Sequence, residues 1–224
     1  MKNIFSERAD NIGLSWRNDI WPYQWRIAIS SCAGYFMFNM FNPIIFRSFG
    51  AGEAGRFGLT WGLLLSVSSV ANAWNATKVQ RYCSLINLNE RSSLNNEWRR
   101  NSILSFIICF LGVAGLLASI KLAEIYRPEN AARALGFVQV LYLIPAILIY
   151  NVVNSFAYYL RAHRREPFMN YSVITAIVVV AIALLAPHLG IALFLVGVSL
   201  GAFITFPYAC WIFRINFKMW SLSR

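Results

Sequence analysis

Apolar residues fall into six long runs, each separated from the next by a short cluster of charge, glycine or proline. The runs cover residues 25–46, 57–77, 102–120, 135–160, 168–187 and 191–213. A helix needs about 20 residues to cross a hydrocarbon core of about 30 Å, and every run meets or approaches that length. The strands of a membrane barrel alternate apolar and polar positions, which these runs do not. The pattern predicts an all-α, polytopic membrane protein with six transmembrane helices.

Polar side chains recur at helical spacing inside three of the runs. Ser31, Tyr35, Asn39 and Asn42 share one side of the first, and Ser68, Asn72 and Asn75 one side of the second. Asn151, Asn154, Tyr158 and Arg161 share one side of the fourth. An amide facing lipid is costly, so the stripes should face one another or a wet cavity. Two readings follow: hydrogen-bonding glue between helices, or the lining of a substrate path. The fifth and sixth runs are nearly all Val, Ile, Ala, Leu and Phe and read as the lipid-facing or packing side.

Composition narrows the class. The 224 residues are 58% hydrophobic and only 13% charged, and their mean hydropathy of +0.52 excludes an ordinary soluble domain. A net charge of +11 would suit nucleic acid, but the basic residues sit at the ends of apolar runs and build no basic helix, so no nucleic-acid partner is expected. Fifteen of the 20 Lys and Arg fall before or at the very start of the first run, in 78–100, in the turn YYLRAHRREPF (158–168) or after residue 213, against five on the other side. That asymmetry predicts both termini in the cytoplasm. Trp16, Trp21, Trp25, Trp98, Trp211 and Trp220 lie near run ends on the same side, as interfacial anchors would. The division expected is a cytoplasmic segment 1–24, a membrane domain 25–213 with a cytoplasmic connection 78–100, and a tail 214–224. No apolar stretch with a cleavage site precedes the first run, which then acts as its own insertion signal.

The connection 78–100 mixes Leu85, Ile86, Leu88, Leu94 and Trp98 with polar residues and reads as a short interfacial helix or as a solvated loop. Gly50, Gly52 and Gly55 spell GxGxxG, but between two membrane helices the motif predicts a turn with positive φ, since no strand delivers it to a phosphate. Another tight turn is expected at Pro187, His188 and Gly190. Gly58 to Gly62 and Gly197 to Gly201 have the spacing of close helix approach, within the chain or between chains. Pro145 and Pro207 should kink their helices. Lys78 and Arg161 end two polar stripes and would meet a lipid phosphate or serve as cytoplasmic anchors. His163 and His188 have no acidic or cysteine partner at a catalytic spacing, and Cys32, Cys83, Cys109 and Cys210 form no CxxC pair. Neither an enzyme, a cofactor nor a metal site is expected. All nine acidic residues read as lying outside the run interiors.

The phrases DIWPYQWRIAISSCAGYFMFNMFNPIIF, GEAGRFGLTWG, Thr77 with Lys78, YYLRAHRREPF and WIFRINFKMW are similar to those of lipopolysaccharide and polysaccharide export proteins. These belong to the superfamily of multidrug and toxic-compound extrusion transporters. The resemblance spans residues 19–220 and implies the second six-helix lobe of a MATE-like transporter. Two such lobes rock around a central cavity and carry lipid-linked sugars across the bacterial inner membrane. The implied substrate is a lipid-linked oligosaccharide or polysaccharide precursor. The implied partners are membrane lipids and a second lobe, from a homodimer or a separate chain. A scaffold for glycan-assembly enzymes is the alternative.

Overall fold

The computed structural model describes residues 21–163, 166–185 and 190–222. Trp16 and the segment before residue 21, Arg164 and Arg165 of the basic turn, and Pro187 and His188 lie outside the described residues. The elements are α1 (Trp21–Asn87), α2 (Arg91–Tyr126), α3 (Pro128–Ala131), α4 (Phe137–Ala162), α5 (Phe168–Leu185) and α6 (Ile191–Leu222), with no strand among the described residues. Four of these, α2, α4, α5 and α6, are long and apolar enough to cross a membrane.

The expected spans 25–46 and 57–77 are helical but are not among those four. They are the two limbs of α1, and their Asn and Ser stripes dilute the apolar runs. The limbs meet at Gly50, whose φ of 88° and ψ of 176° are open to glycine and strained for other residues. A straight helix would hold Phe38 and Trp61 about 35 Å apart, yet their rings lie 5.8 Å centre to centre. Phe41 likewise meets Phe57 at 6.2 Å. The limbs therefore fold back antiparallel about Gly50, as the positive-φ turn required. Gly52 and Gly55 remain helical.

Side-chain pairings set the neighbours. The second limb runs antiparallel to α2, with Arg81 on Glu97, Tyr82 on Asn101 and the Ala71 carbonyl on Ser105. Helix α4 is antiparallel to α2 through Ser155–Ser102 and Tyr159–Asn95. The first limb meets α5 at Ser30–Ser172 and α4 at Met37–Tyr150. Helices thus alternate in direction through the bundle. Tyr23 reaches the Arg161 carbonyl and Arg91 reaches the Trp220 carbonyl, so the first and last described residues share one end of the bundle. Lys78, Arg81, Arg91, Arg99, Arg100 and Arg161 sit at that end.

Several expectations are revised. No separate interfacial helix forms at 78–100: α1 continues to Asn87, Asn89 takes a left-handed φ of 61°, and α2 begins at Arg91. Leu85, Leu94 and Trp98 are buried between helices instead of lying on a membrane surface. Trp98 is no interfacial anchor, for it packs among Phe156, Tyr159 and Phe213 at 5.0 to 6.2 Å. The expected tail is a continuation of α6, with Phe217 and Trp220 against Tyr159.

Small residues permit close approach within the chain. A Cβ on Gly197 or Gly201 would fall 2.6 Å from Ile182 or 2.8 Å from Val179, so this GxxxG pair seats α6 on α5. Gly58 faces the Asn42 side chain, whereas Gly62 has nothing within 4 Å. Around Pro145 the backbone ladder of α4 is interrupted, and the Ser199 hydroxyl of α6 donates to the nearby Tyr142 carbonyl. The helix itself continues to Ala162.

Replacing Gly50 by Ala should destabilise the bundle by about 1–3 kcal/mol. Gly52→Ala, in open helical backbone, should be neutral or slightly stabilising. Thermal unfolding in detergent, read by labelling of the buried Cys109 thiol, separates the two variants.

Candidate functional site

The first and fourth polar stripes converge, but only in part. Ser31 and Tyr35 of the first limb and Asn154 and Arg161 of α4 line one cleft of about 270 Å³. Opposite them stand Tyr171, Ser172 and Thr175 of α5, a helix that the sequence offered only for lipid contact or packing. The signal for α5 was present in the i, i+4 spacing of Tyr171 and Thr175, hidden by the apolar run around it. The first limb can bring hydroxyls to α5 because Ser30 and Ser172 approach to 2.7 Å. Tyr35 is 65% exposed at the rim, and Asn154 is exposed beside it.

The second stripe lies elsewhere. Ser68 and Asn75 are buried and Asn72 half-buried, and none lines the cleft. Asn72 donates to Ser68 at 3.2 Å. Asn151, on the stripe of α4, also turns away: it donates to Ser105 at 3.3 Å, and Ser105 donates to the Ala71 carbonyl at 2.8 Å. That chain ties α4, α2 and the second limb together. Asn72 Oδ1, Asn75 Nδ2 and Asn151 Oδ1 are buried with no hydrogen-bond partner among the described residues. Asn39 donates to its own Tyr35 carbonyl at 2.9 Å, and Asn42 rests against Gly58. Tyr158 is half-buried and outside the cleft.

Arg161 closes the cleft at the basic end, and sequence reasoning missed its partner. Its Nε donates to Glu166 Oε2 at 2.7 Å and its Nη2 to Oε1 at 3.2 Å, a two-point fork. The Glu166 side chain is 1% exposed against 31% for Arg161, so this carboxylate lies outside the apolar runs, as expected, but is enclosed. The turn at Pro167 folds Glu166 back on the end of α4. Tyr23 donates to the Arg161 carbonyl at 3.4 Å; burial, then the Glu166 charge, push its phenol up, so it stays a donor.

Lys78 occupies a different place, a groove between the second limb and α2. Its ammonium stands 5.2 Å from the centre of the Trp74 ring. Arg81 there is bound to Glu97 at 2.6 and 2.7 Å, and this hydrogen bonding raises its pKa. The two phosphate candidates therefore belong to separate sites.

Chemically, the cleft combines hydroxyls, phenols, one amide and aromatic faces around a neutralised ion pair. Such a lining suits a neutral, polyhydroxylated group better than a free anion. Comparison with known families, curated proteins and solved structures finds no match to this chain.

Removing one member of a buried ion pair costs about 3–5 kcal/mol. Since Arg161 is partly exposed, Arg161→Met should cost about 1–3 kcal/mol, screening included. Adding Glu166→Leu to it should restore part of the loss. Unfolding of the four members of this double-mutant cycle in detergent measures the coupling.

Proposed function

We propose that this chain is a six-helix lobe of a MATE-like transporter that moves a lipid-linked oligosaccharide or polysaccharide precursor across the bacterial inner membrane. In this reading both limbs of α1 cross the bilayer beside α2, α4, α5 and α6. The basic end of the bundle faces the cytoplasm, with both termini there. The observation that carries the proposal is the cleft of hydroxyl, phenol and amide side chains between the first limb, α4 and α5. Its hydroxyls and Asn154 would meet sugar hydroxyls, and Arg161 would meet the lipid phosphate if Glu166 releases it. At about 270 Å³ the cleft is small for an oligosaccharide. A second lobe, from a homodimer or a separate chain, would complete the path.

A scaffold role in cell-surface glycan assembly is the second reading. It is favoured by the enclosure of Asn151 in the bundle, where its hydrogen bond to Ser105 makes this amide glue in place of a lining. Flipping of a fluorescent glycolipid in proteoliposomes decides between the two. Tyr35→Leu with Asn154→Leu should lower the rate at least about tenfold, the loss of more than about 1.4 kcal/mol of binding, whereas Asn39→Leu should leave it unchanged. Equal flipping by the cleft variant and the parent chain would remove the cleft as the path, and no flipping by the parent chain would remove the transport reading.

A further inference from the structure

The groove that holds Lys78 is independent of the cleft and of the transport reading. It has a volume of about 340 Å³ and is lined by Trp74, Lys78 and Arg81 of α1 and by Glu97, Arg100 and Leu104 of α2, with Asn101 at its floor. Three cations thus face one carboxylate. Glu97 is occupied by Arg81, at 2.6 and 2.7 Å, so Arg81 and Glu97 cancel. Lys78 and Arg100 have no carboxylate partner among the described residues. Asn101 spends its amide on Tyr82, at 3.0 Å, and adds no charge. A net excess of two positive charges therefore stands in a concave site.

The walls show what kind of anion fits. Trp74 and Leu104 are apolar and stand where the charged ends of the helices meet their apolar stretches. From Trp74, the same face of the second limb continues toward the bundle centre through exposed Val70 and Leu63. From Leu104, the same face of α2 continues through exposed Ile107 and Leu111. A cationic head site therefore opens onto an apolar track, which a soluble phosphate would leave unused. We propose that this groove binds the phosphate headgroup of an anionic membrane lipid, with Lys78 and Arg100 on the phosphate and the acyl chains along Trp74, Val70, Leu104 and Ile107. Lys78 is held in place over the Trp74 ring, which limits the freedom it loses on binding.

The test titrates the full chain in detergent with phosphatidylglycerol or phosphatidylcholine and counts bound lipid by native mass spectrometry. Lys78→Gln with Arg100→Gln should weaken phosphatidylglycerol binding at least about tenfold and leave phosphatidylcholine binding unchanged. Arg26→Gln with Arg99→Gln removes equal charge outside the groove and should have little effect. Equal losses in the two double variants, or no loss in the first, would overturn the site in favour of diffuse basic charge. Glu97→Gln frees Arg81 and should tighten binding, so it tests the same site should the Lys78 and Arg100 variant not fold; unchanged or weaker binding would again overturn it. Displacement of phosphatidylglycerol by inorganic phosphate at equal concentration would overturn the lipid and point to a soluble anion.

Discussion

A backbone in hydrocarbon must satisfy its own hydrogen bonds, so a chain that turns back has few places where it can leave the helical ladder. In this bundle the reversal is made at Gly50, where a φ of 88° lets one residue separate two long helical limbs. The aromatic contacts of Phe38, Phe41, Phe57 and Trp61 exist only because the limbs fold back. So do the two faces of the bundle. The first limb goes to α4 and α5 and makes the cleft; the second goes to α2 and makes the basic groove.

Between helices there is little hydrophobic drive within a membrane, and association depends on packing and a few hydrogen bonds. The structure uses both. Gly197 and Gly201 bring α6 onto α5, while the relay from Asn151 through Ser105 to the Ala71 carbonyl joins three helices. Each such bond is worth only about 0.6–2 kcal/mol, yet each also fixes the rotation of a helix about its axis. That rotation decides which residues of a stripe are enclosed. Asn151 and Asn154, three residues apart on α4, end in a sealed seam and an open cleft.

Charge at the basic end is divided in the same way. Glu166 neutralises Arg161 beside the cleft and Glu97 neutralises Arg81 in the groove, leaving Lys78 and Arg100 without a carboxylate among the described residues. A cleft whose cation is already paired favours neutral polar chemistry, and a groove with unpaired cations favours an anion. The proposed sugar path and the proposed lipid site follow from that difference.

What the chain determined by itself was local. Long apolar runs specified helices, the cluster Gly50, Gly52 and Gly55 specified a positive-φ turn that the structure puts at Gly50, and the clustering of Lys and Arg sorted the helix ends, because each depends on residues close in sequence. Only the tertiary structure decided which stripes meet. Glu166 could be placed from its sequence only outside the apolar runs; the turn at Pro167 folds it onto Arg161. Leu85, Leu94 and Trp98 of 78–100 looked interfacial until two continuous helices buried them in the bundle. Helix α5 looked inert until Ser30 and Ser172 set its rotation toward the cleft. Helical periodicity places residues on a common face, but the neighbour that face meets is chosen by close approach and pairing among helices distant in sequence.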